Sequence, residues 1–75
     1  MHGDTRNLDT ELGRAVRALR QRRGLSQADL AERVGVDRKT INRIENGRHS
    51  TSVTTLASIA QSLGEKPSAL VSSID

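Results

Sequence analysis

The residues with the clearest capacity for chemistry lie between positions 38 and 48 of the 75-residue sequence. This stretch carries four basic side chains against the single acid Glu45, and the four are Arg38, Lys39, Arg43 and Arg48. In residues 1–37, seven arginines nearly balance six acids. So local an excess of positive charge is typical of a surface that faces an anionic ligand. A solvated helix face would give the same pattern, and charge alone does not separate the two.

The composition excludes several classes of function. The chain has no cysteine, so it offers no disulfide framework, thiolate metal site or iron–sulfur cluster. It has no Phe, Tyr or Trp, which argues against modules that stack single-stranded bases on aromatic rings. No apolar run approaches the ~18 residues that a membrane span needs, and the first nine residues lack the apolar stretch of a signal peptide. We therefore expect a cytoplasmic protein that does not engage a membrane.

Enzymatic activity is not expected from this sequence. A chain of this length forms at most one domain. It has two histidines, and it shows no Gly-rich phosphate loop and no pair of carboxylates in an apolar cleft. A small helical domain without a pocket has nowhere to hold a substrate. His49 is not a plausible metal ligand, since only His2 could partner it. We expect no catalytic residues, no metal and no cofactor.

Glycines divide the sequence into helical segments. Gly24, Gly35, Gly47 and Gly64 each follow a stretch with helical apolar spacing, and glycine just past a helix is a common left-handed C-cap. Good N-cap residues follow three of these glycines, namely Ser26, Asp37, and Ser50 or Ser52. The expected helices span residues 10–23, 27–34, 38–46 and 53–63, with a last one beginning at residue 67. Because no segment alternates like a strand, we predict an all-α, compact bundle of about five short helices.

The two ends of the chain are expected to differ. Residues 1–9 are predicted to form a flexible N-terminal tail and residues 10–75 the domain. The C-terminal Leu70, Val71 and Ile74 are too many apolar residues for a free tail. Some are expected to complete the core, and the remainder to form the self-complementary patch that a two-fold dimer needs. The alternative is that all three pack within one protomer.

Residues 27–46 form the most informative stretch. Two short helices are predicted here, joined by a turn in which Gly35 supplies the positive φ. Ala31 lies where the two helices cross, and a larger side chain would push them apart. Apolar side chains fill the wedge between them, namely Leu30, Val34, Val36, Ile41 and Ile44. This spacing predicts a helix-turn-helix, whose second helix can enter the major groove of DNA.

Three parts of the sequence carry a family resemblance. They are residues 25–31 (Leu-Ser-Gln-Ala-Asp-Leu-Ala), Gly35 and residues 44–48 (Ile-Glu-Asn-Gly-Arg), continued by the apolar pairs up to residue 64. Together they closely resemble the phage-repressor and Cro-type helix-turn-helix family, also called the Xre family, over roughly residues 12–70. The resemblance implies a lambda-repressor-like domain of five helices that binds operator DNA, usually as a two-fold dimer.

The resemblance also implies roles for individual residues. If Ile41 and Ile44 point inward, the helical period turns the polar residues of the third helix outward. By the resemblance, Arg38, Lys39 and Arg43 match positions that read base edges. Asn42, which the helical period also turns outward, is expected to join these base contacts. The expected phosphate contacts are Gln27, Asn46 and Arg48. Arginine and lysine suit guanine O6 and N7, although any member of the first set could touch phosphate alone.

Two further matched positions, Arg20 and Glu45, are implied to form an internal salt bridge between the first and third helices. Arginine suits this role by its planar donor fork. With Glu45 so engaged, the four cations of residues 38–48 are left unopposed. The alternative is that both side chains are simply exposed.

The sequence as a whole predicts a sequence-specific, double-stranded DNA-binding transcriptional regulator. We expect a repressor that binds a palindromic operator as a homodimer, with its third helix in the major groove. An antitoxin, a restriction–modification controller, or an adaptor that binds proteins through the same fold remain alternatives, and a toxin or other protein partner stays open.

Overall fold

Five helices follow one another along the part of the chain that the structure, a computed structural model, describes. The backbone is described for residues 5–72 and the side chains for residues 8–70. The helices are α1 (Thr5–Arg22), α2 (Gln27–Val34), α3 (Arg38–Glu45), α4 (Val53–Ser62) and α5 (Pro67–Ser72). No strand occurs within residues 5–72, and the all-α prediction is confirmed.

Helix α2 begins and ends where the sequence predicted, because both of its ends are closed by local hydrogen bonds. The Ser26 hydroxyl accepts the Asp29 N–H at 2.9 Å, and the Asp29 carboxylate accepts the Ser26 N–H at 2.9 Å. The bond from the Ser26 N–H to the carboxylate lowers the pKa of Asp29 most strongly, and hydrogen bonding from the Ser26 side chain lowers it further. Gly35 ends the helix in the left-handed region, with a φ of 85° that its lack of a Cβ permits.

Helices α3 and α4 are capped in a similar way at their N-termini. The Asp37 carboxylate accepts the Thr40 N–H at 2.8 Å at the start of α3. At the start of α4, the Ser52 hydroxyl accepts the Thr55 N–H at 3.1 Å. Ser52 is therefore the cap of α4, and Ser50 instead donates its hydroxyl to the Asp9 carboxylate at 3.0 Å.

Helix α1 begins at Thr5, earlier than the residue 10 that the sequence suggested. Residues 5–9, expected to belong to a flexible tail, are thus helical, and only residues 1–4 of that segment lie outside the described chain. The bond between Asp9 and Ser50 ties this N-terminal part of α1 to the loop before α4.

The core consists of aliphatic side chains from all five helices. Its buried members are Val16, Leu30, Ala31, Ile41, Ile44, Ile59, Ala60, Leu63 and Leu70. Leu70 is fully buried, so it completes the core of its own protomer. The expectation that Leu70 contributes to a dimer patch is corrected on this point, because a side chain enclosed by its own fold has no surface to offer. Val71 and Ile74 fall outside the described side chains.

Helix α1 packs against the C-terminal end of α3 with main chain close to main chain. At Gly13 of α1, an added Cβ would lie 2.8 Å from the Glu45 carbonyl oxygen, and closer still to that of Ile44. At Gly47, just past α3, an added Cβ would lie 2.7 Å from the Thr10 hydroxyl oxygen. Because real Cβ atoms are almost never so near another heavy atom, both positions need glycine for α1 to hold the end of α3.

Candidate nucleic-acid interface

Helix α3 presents one side to the core and the other to solvent. Ile41 and Ile44 are buried on the inner side, where α1 and α2 pack against the helix. On the outer side the polar residues are exposed, namely Arg38, Lys39, Asn42, Arg43 and Asn46. The structure therefore brings the four expected base-contacting residues onto one exposed side of α3.

The cationic side chains of this surface lack partners within the part of the chain that the structure describes. Arg38, Lys39, Arg43 and Arg48 are all exposed, and none of their four side chains has a hydrogen bond or ion pair within the described chain. A set of arginine and lysine heads left in water beside one helix is suited to bind an anionic partner. We refer to Arg38, Lys39, Asn42, Arg43 and Arg48 as the α3 surface.

An acidic residue stands at the N-terminal end of the α3 surface. Hydrogen bonds from the Thr40 hydroxyl, at 2.6 Å, and from the Thr40 N–H hold the pKa of Asp37 below its ordinary value. The positive charges of Lys39 and Arg43 lower this pKa further. The Asp37 carboxylate therefore stays charged and keeps α3 capped, while the cations lie beyond it along the helix.

A buried ion pair fixes α3 from behind. Arg20 Nε donates to Glu45 Oε2 at 2.6 Å, and Arg20 Nη2 donates to Glu45 Oε1 at 3.0 Å. The side chains are only 10% and 2% exposed, respectively. The hydrogen bond to Glu45 raises the pKa of Arg20 against the opposing effect of burial. Arg20 Nη1 also donates to the Leu25 carbonyl at 2.7 Å, so one guanidinium joins α1, the loop before α2, and α3.

The amide side chains expected at phosphate are partly engaged within the protein. Gln27 Nε2 donates to Glu45 Oε1 at 3.1 Å, and Gln27 Oε1 accepts a hydrogen bond from Asn42 Nδ2 at 3.4 Å. Asn46 Nδ2 donates to the Asn42 carbonyl at 2.8 Å. Each of these amides keeps one N–H without a partner in the described chain. Sequence reasoning missed the bond from Gln27 to Glu45, because the two residues are 18 positions apart and no local pattern marks such a pair.

A shallow groove runs between α1 and α5, away from the α3 surface. Small and apolar side chains, with two charged ones at the edge, line it, namely Ala15, Ala18, Leu19, Arg22, Glu65 and Ala69. Within the described residues, no group of three or more His, Asp or Glu side chains is placed to hold a metal ion. No helix of that same part is both long and apolar enough to cross a membrane.

Comparison with known proteins points to one family. The model of the family HTH_3, described as helix-turn-helix, matches residues 16–70. The chain is 41% identical over 54 residues to antitoxin HipB from Escherichia coli O6:H1, an alignment that covers 72% of the chain and 57% of HipB. It is 47% identical over 51 residues to an uncharacterized HTH-type transcriptional regulator from Methanothermobacter thermautotrophicus, covering 68% of the chain and 74% of the regulator. It is 37% identical over 60 residues to the immunity repressor of Bacillus phage phi105, covering 80% and 42%, respectively.

Solved structures agree with the sequence relatives. The clp gene regulator ClgR from Corynebacterium glutamicum superposes with a TM-score of 0.87 at 30% identity, covering 89% of the chain and 71% of ClgR. The restriction-modification controller protein C.AhdI from Aeromonas hydrophila gives a TM-score of 0.81 at 32% identity, covering 83% of the chain and 94% of C.AhdI. The chain spans only 57–61% of the HipB antitoxins that it matches.

Proposed function

We propose, because the chain belongs to the helix-turn-helix family HTH_3 of Xre-type regulators, that it is a sequence-specific repressor of transcription that binds double-stranded DNA. The observation that carries this proposal is the α3 surface. Its four cations are exposed and unpaired within the described chain, on a helix whose opposite side is fixed by the core and by the buried Arg20–Glu45 pair. Such a helix can enter the major groove without reordering the fold.

The exposed side chains suit two parts of a DNA duplex, namely the base edges in the major groove and the phosphate backbone. Arg38, Lys39 and Arg43 extend from the outer side of α3 and suit the acceptor pair of guanine. Arg48 follows the end of α3, where it suits phosphate contact. Gln27 and Asn46 are each left with one amide N–H that has no partner within the described chain. Gln27 opens α2, and phosphates commonly bind at a helix N-terminus, whereas Asn46 is the C-cap of α3 and would contact phosphate through its side chain. Phosphate contacts position the protein on the duplex, and base contacts select the DNA sequence.

Two copies of the chain would read a palindromic operator. A two-fold dimer places its two recognition helices in successive major grooves, about 34 Å or ~10 base pairs apart. The apolar residues Val71 and Ile74 support a self-complementary contact at the C-terminal end of the chain. The groove between α1 and α5, with Ala15, Ala18 and Ala69 in its wall, offers small side chains beside which a partner helix could pack closely.

The experiment that tests this proposal is selection of binding sites from a random duplex pool, followed by affinity measurement at several salt concentrations. We expect two inverted half-sites with centres ~10 base pairs apart, and an affinity that falls steeply as salt is raised. A control pool of single-stranded DNA should yield no enriched sequence. If no duplex sequence is enriched, or if affinity for the selected duplex does not respond to salt, the proposal fails. A single half-site without its inverted copy would refute the dimer alone.

A second candidate is an antitoxin or adaptor that binds a protein partner. The identity to antitoxin HipB favours it, and the chain matches little more than half of that relative. Because the contact would be with a protein, its affinity should depend much less on salt than a set of phosphate contacts does. Charge reversal by Arg43→Glu discriminates between the two, since it should abolish binding to duplex DNA while binding to a protein through another surface survives.

A further inference from the structure

A network of hydrogen-bonded polar side chains runs from the buried ion pair to the α3 surface. Arg20 donates twice to Glu45, Gln27 Nε2 donates to Glu45 Oε1 at 3.1 Å, and Asn42 Nδ2 donates to Gln27 Oε1 at 3.4 Å. The network begins at the Glu45 carboxylate, which is 2% exposed, and ends at the exposed side chain of Asn42. It therefore links the orientation of Asn42 to the interior of the protein.

The chemistry of Glu45 determines which atom donates and which accepts in each hydrogen bond of this network. A carboxylate paired with arginine accepts hydrogen bonds and donates none. The amide of Gln27 must therefore turn its nitrogen toward Glu45, which leaves its oxygen toward Asn42. An amide oxygen also only accepts, so Asn42 must turn its own nitrogen toward Gln27. The orientation of two amides is thus set by one buried acid.

This order leaves Asn42 with a defined set of free groups. One N–H of Nδ2 is used by Gln27, while the second N–H and the Oδ1 atom, on the exposed side of α3, have no partner among the described residues. A donor beside an acceptor is complementary to the major-groove edge of adenine, which offers the N7 acceptor and the N6 amino donor. Guanine presents two acceptors there, cytosine a donor and thymine an acceptor, so each of these bases matches at most one of the two groups.

We propose that Asn42 reads an adenine in the operator, and that Gln27 and Glu45 are positioning residues that fix which way its amide faces. The inference rests on the proposed function and deepens it by naming the base. Asn42 would make the base contact itself. Gln27 would act through Asn42, in addition to any contact of its own with phosphate.

The first test compares site selection by the wild type, Asn42→Ala and Asn42→Asp. The wild type should select one adenine in each half-site, with roughly fivefold to 150-fold weaker binding when that base is changed. Asn42→Ala should lose this preference, and Asn42→Asp should shift it toward cytosine, whose N4 amino group donates to a carboxylate. Gln61→Ala, which changes an exposed amide on α4, is the matched control and should leave the selected sequence unchanged.

The second test separates positioning from phosphate contact. Gln27→Met keeps the length of the side chain but removes its hydrogen bonds to Glu45 and Asn42. The difference in affinity between adenine and the other bases should therefore become smaller at the position that Asn42 contacts. Arg48→Ala should weaken binding to all sequences to a similar degree and leave that preference unchanged. If Gln27→Met also lowers affinity uniformly, without narrowing the preference, the positioning role is wrong.

The outcomes distinguish this inference from the function on which it rests. If the wild type enriches no duplex sequence, the proposed function and this inference both fail. If it enriches an operator that responds to Arg38→Ala and Arg43→Ala but is indifferent to Asn42→Ala, the function stands and the inference is overturned. Because Asn42 is exposed, its variants should melt close to the wild type by circular dichroism, which keeps the comparison one of binding.

Discussion

Replacement of Gly13 by alanine should lower the stability of the protein, although it exchanges a poor helix former for the best one. Gly13 lies inside α1, where helix propensity alone favours alanine by about 1 kcal/mol. The structure opposes this gain because the new Cβ would lie 2.8 Å from the Glu45 carbonyl oxygen, whereas ordinary contacts begin at 3.4 Å. The oxygen would have to retreat by 3.4 − 2.8 = 0.6 Å, and the neighbouring Ile44 oxygen by more.

The magnitude follows from the kind of atom that is in the way. Overpacking typically costs about 1–3 kcal/mol, and the upper part of this range applies because main-chain carbonyls cannot rotate aside as side chains can. Subtracting the propensity gain of about 1 kcal/mol leaves a net loss of about 2 kcal/mol. In a domain of this size, each kcal/mol corresponds to about 4–8 °C in Tm, so we expect a fall of roughly 8–16 °C.

Thermal unfolding followed by far-UV circular dichroism measures this change. Ala18→Gly provides the matched control, because Ala18 is exposed on the same helix and should lose only the propensity difference of about 1 kcal/mol. A Gly13→Ala protein that melts at or above the wild-type temperature would show that α1 and α3 are not in close main-chain contact. The same result would remove the steric reason for glycine at this position.

The remaining predictions concern charged residues. Arg20→Ala leaves the buried Glu45 carboxylate without its cationic partner and should lower the free energy of unfolding by about 3–5 kcal/mol. An unchanged Tm would contradict the buried pair. Arg38→Ala or Arg43→Ala should relax base preference at one operator position at a cost of about 1–3 kcal/mol; an equal loss on all sequences would instead indicate phosphate contact. Arg48→Ala should reduce the slope of log affinity against log salt by about 1 per half-site, so an unchanged slope would exclude a phosphate contact there. Hydrogen bonds hold the pKa of Asp37 below its ordinary 3.8, so its charged form stabilises the fold fully above that pH and loses this effect as pH falls through the folded-state pKa. The Tm difference between wild type and Asp37→Ala should therefore be full at neutral pH and shrink in acid; a difference independent of pH would mean that the carboxylate does not act through its charge.

Helix ends were predictable where a local signal exists. The bounds of α2 follow from Ser26 and Gly35, because a capping box and a left-handed glycine each act within a few residues. The start of α1 was predicted five residues late, at residue 10 and not at Thr5, and the loop before α4 offered two equally good serines. Only Ser52 accepts the Thr55 N–H, a distinction that depends on backbone geometry and not on residue type.

The candidate site was predictable in its residues but not in its internal bonds. The 3.6-residue period placed Arg38 and Arg43 on the outer side of α3, because Ile41 and Ile44 fix its inner side. The bond from Gln27 to Glu45 joins residues 18 positions apart. Contacts of this kind depend on how the helices pack, which the spacing of one segment does not contain.

Helices α1 and α3 meet without any aromatic side chain between them, since the sequence has none. With an entirely aliphatic core, no large ring fills the space behind α3. Two features join the helices there, namely the main-chain approach at Gly13 and the buried Arg20–Glu45 pair. Both act on the inner side of α3 and its C-terminal end, so they hold the helix without using any of the four cations of the α3 surface. All four cations of that surface therefore remain available to one ligand.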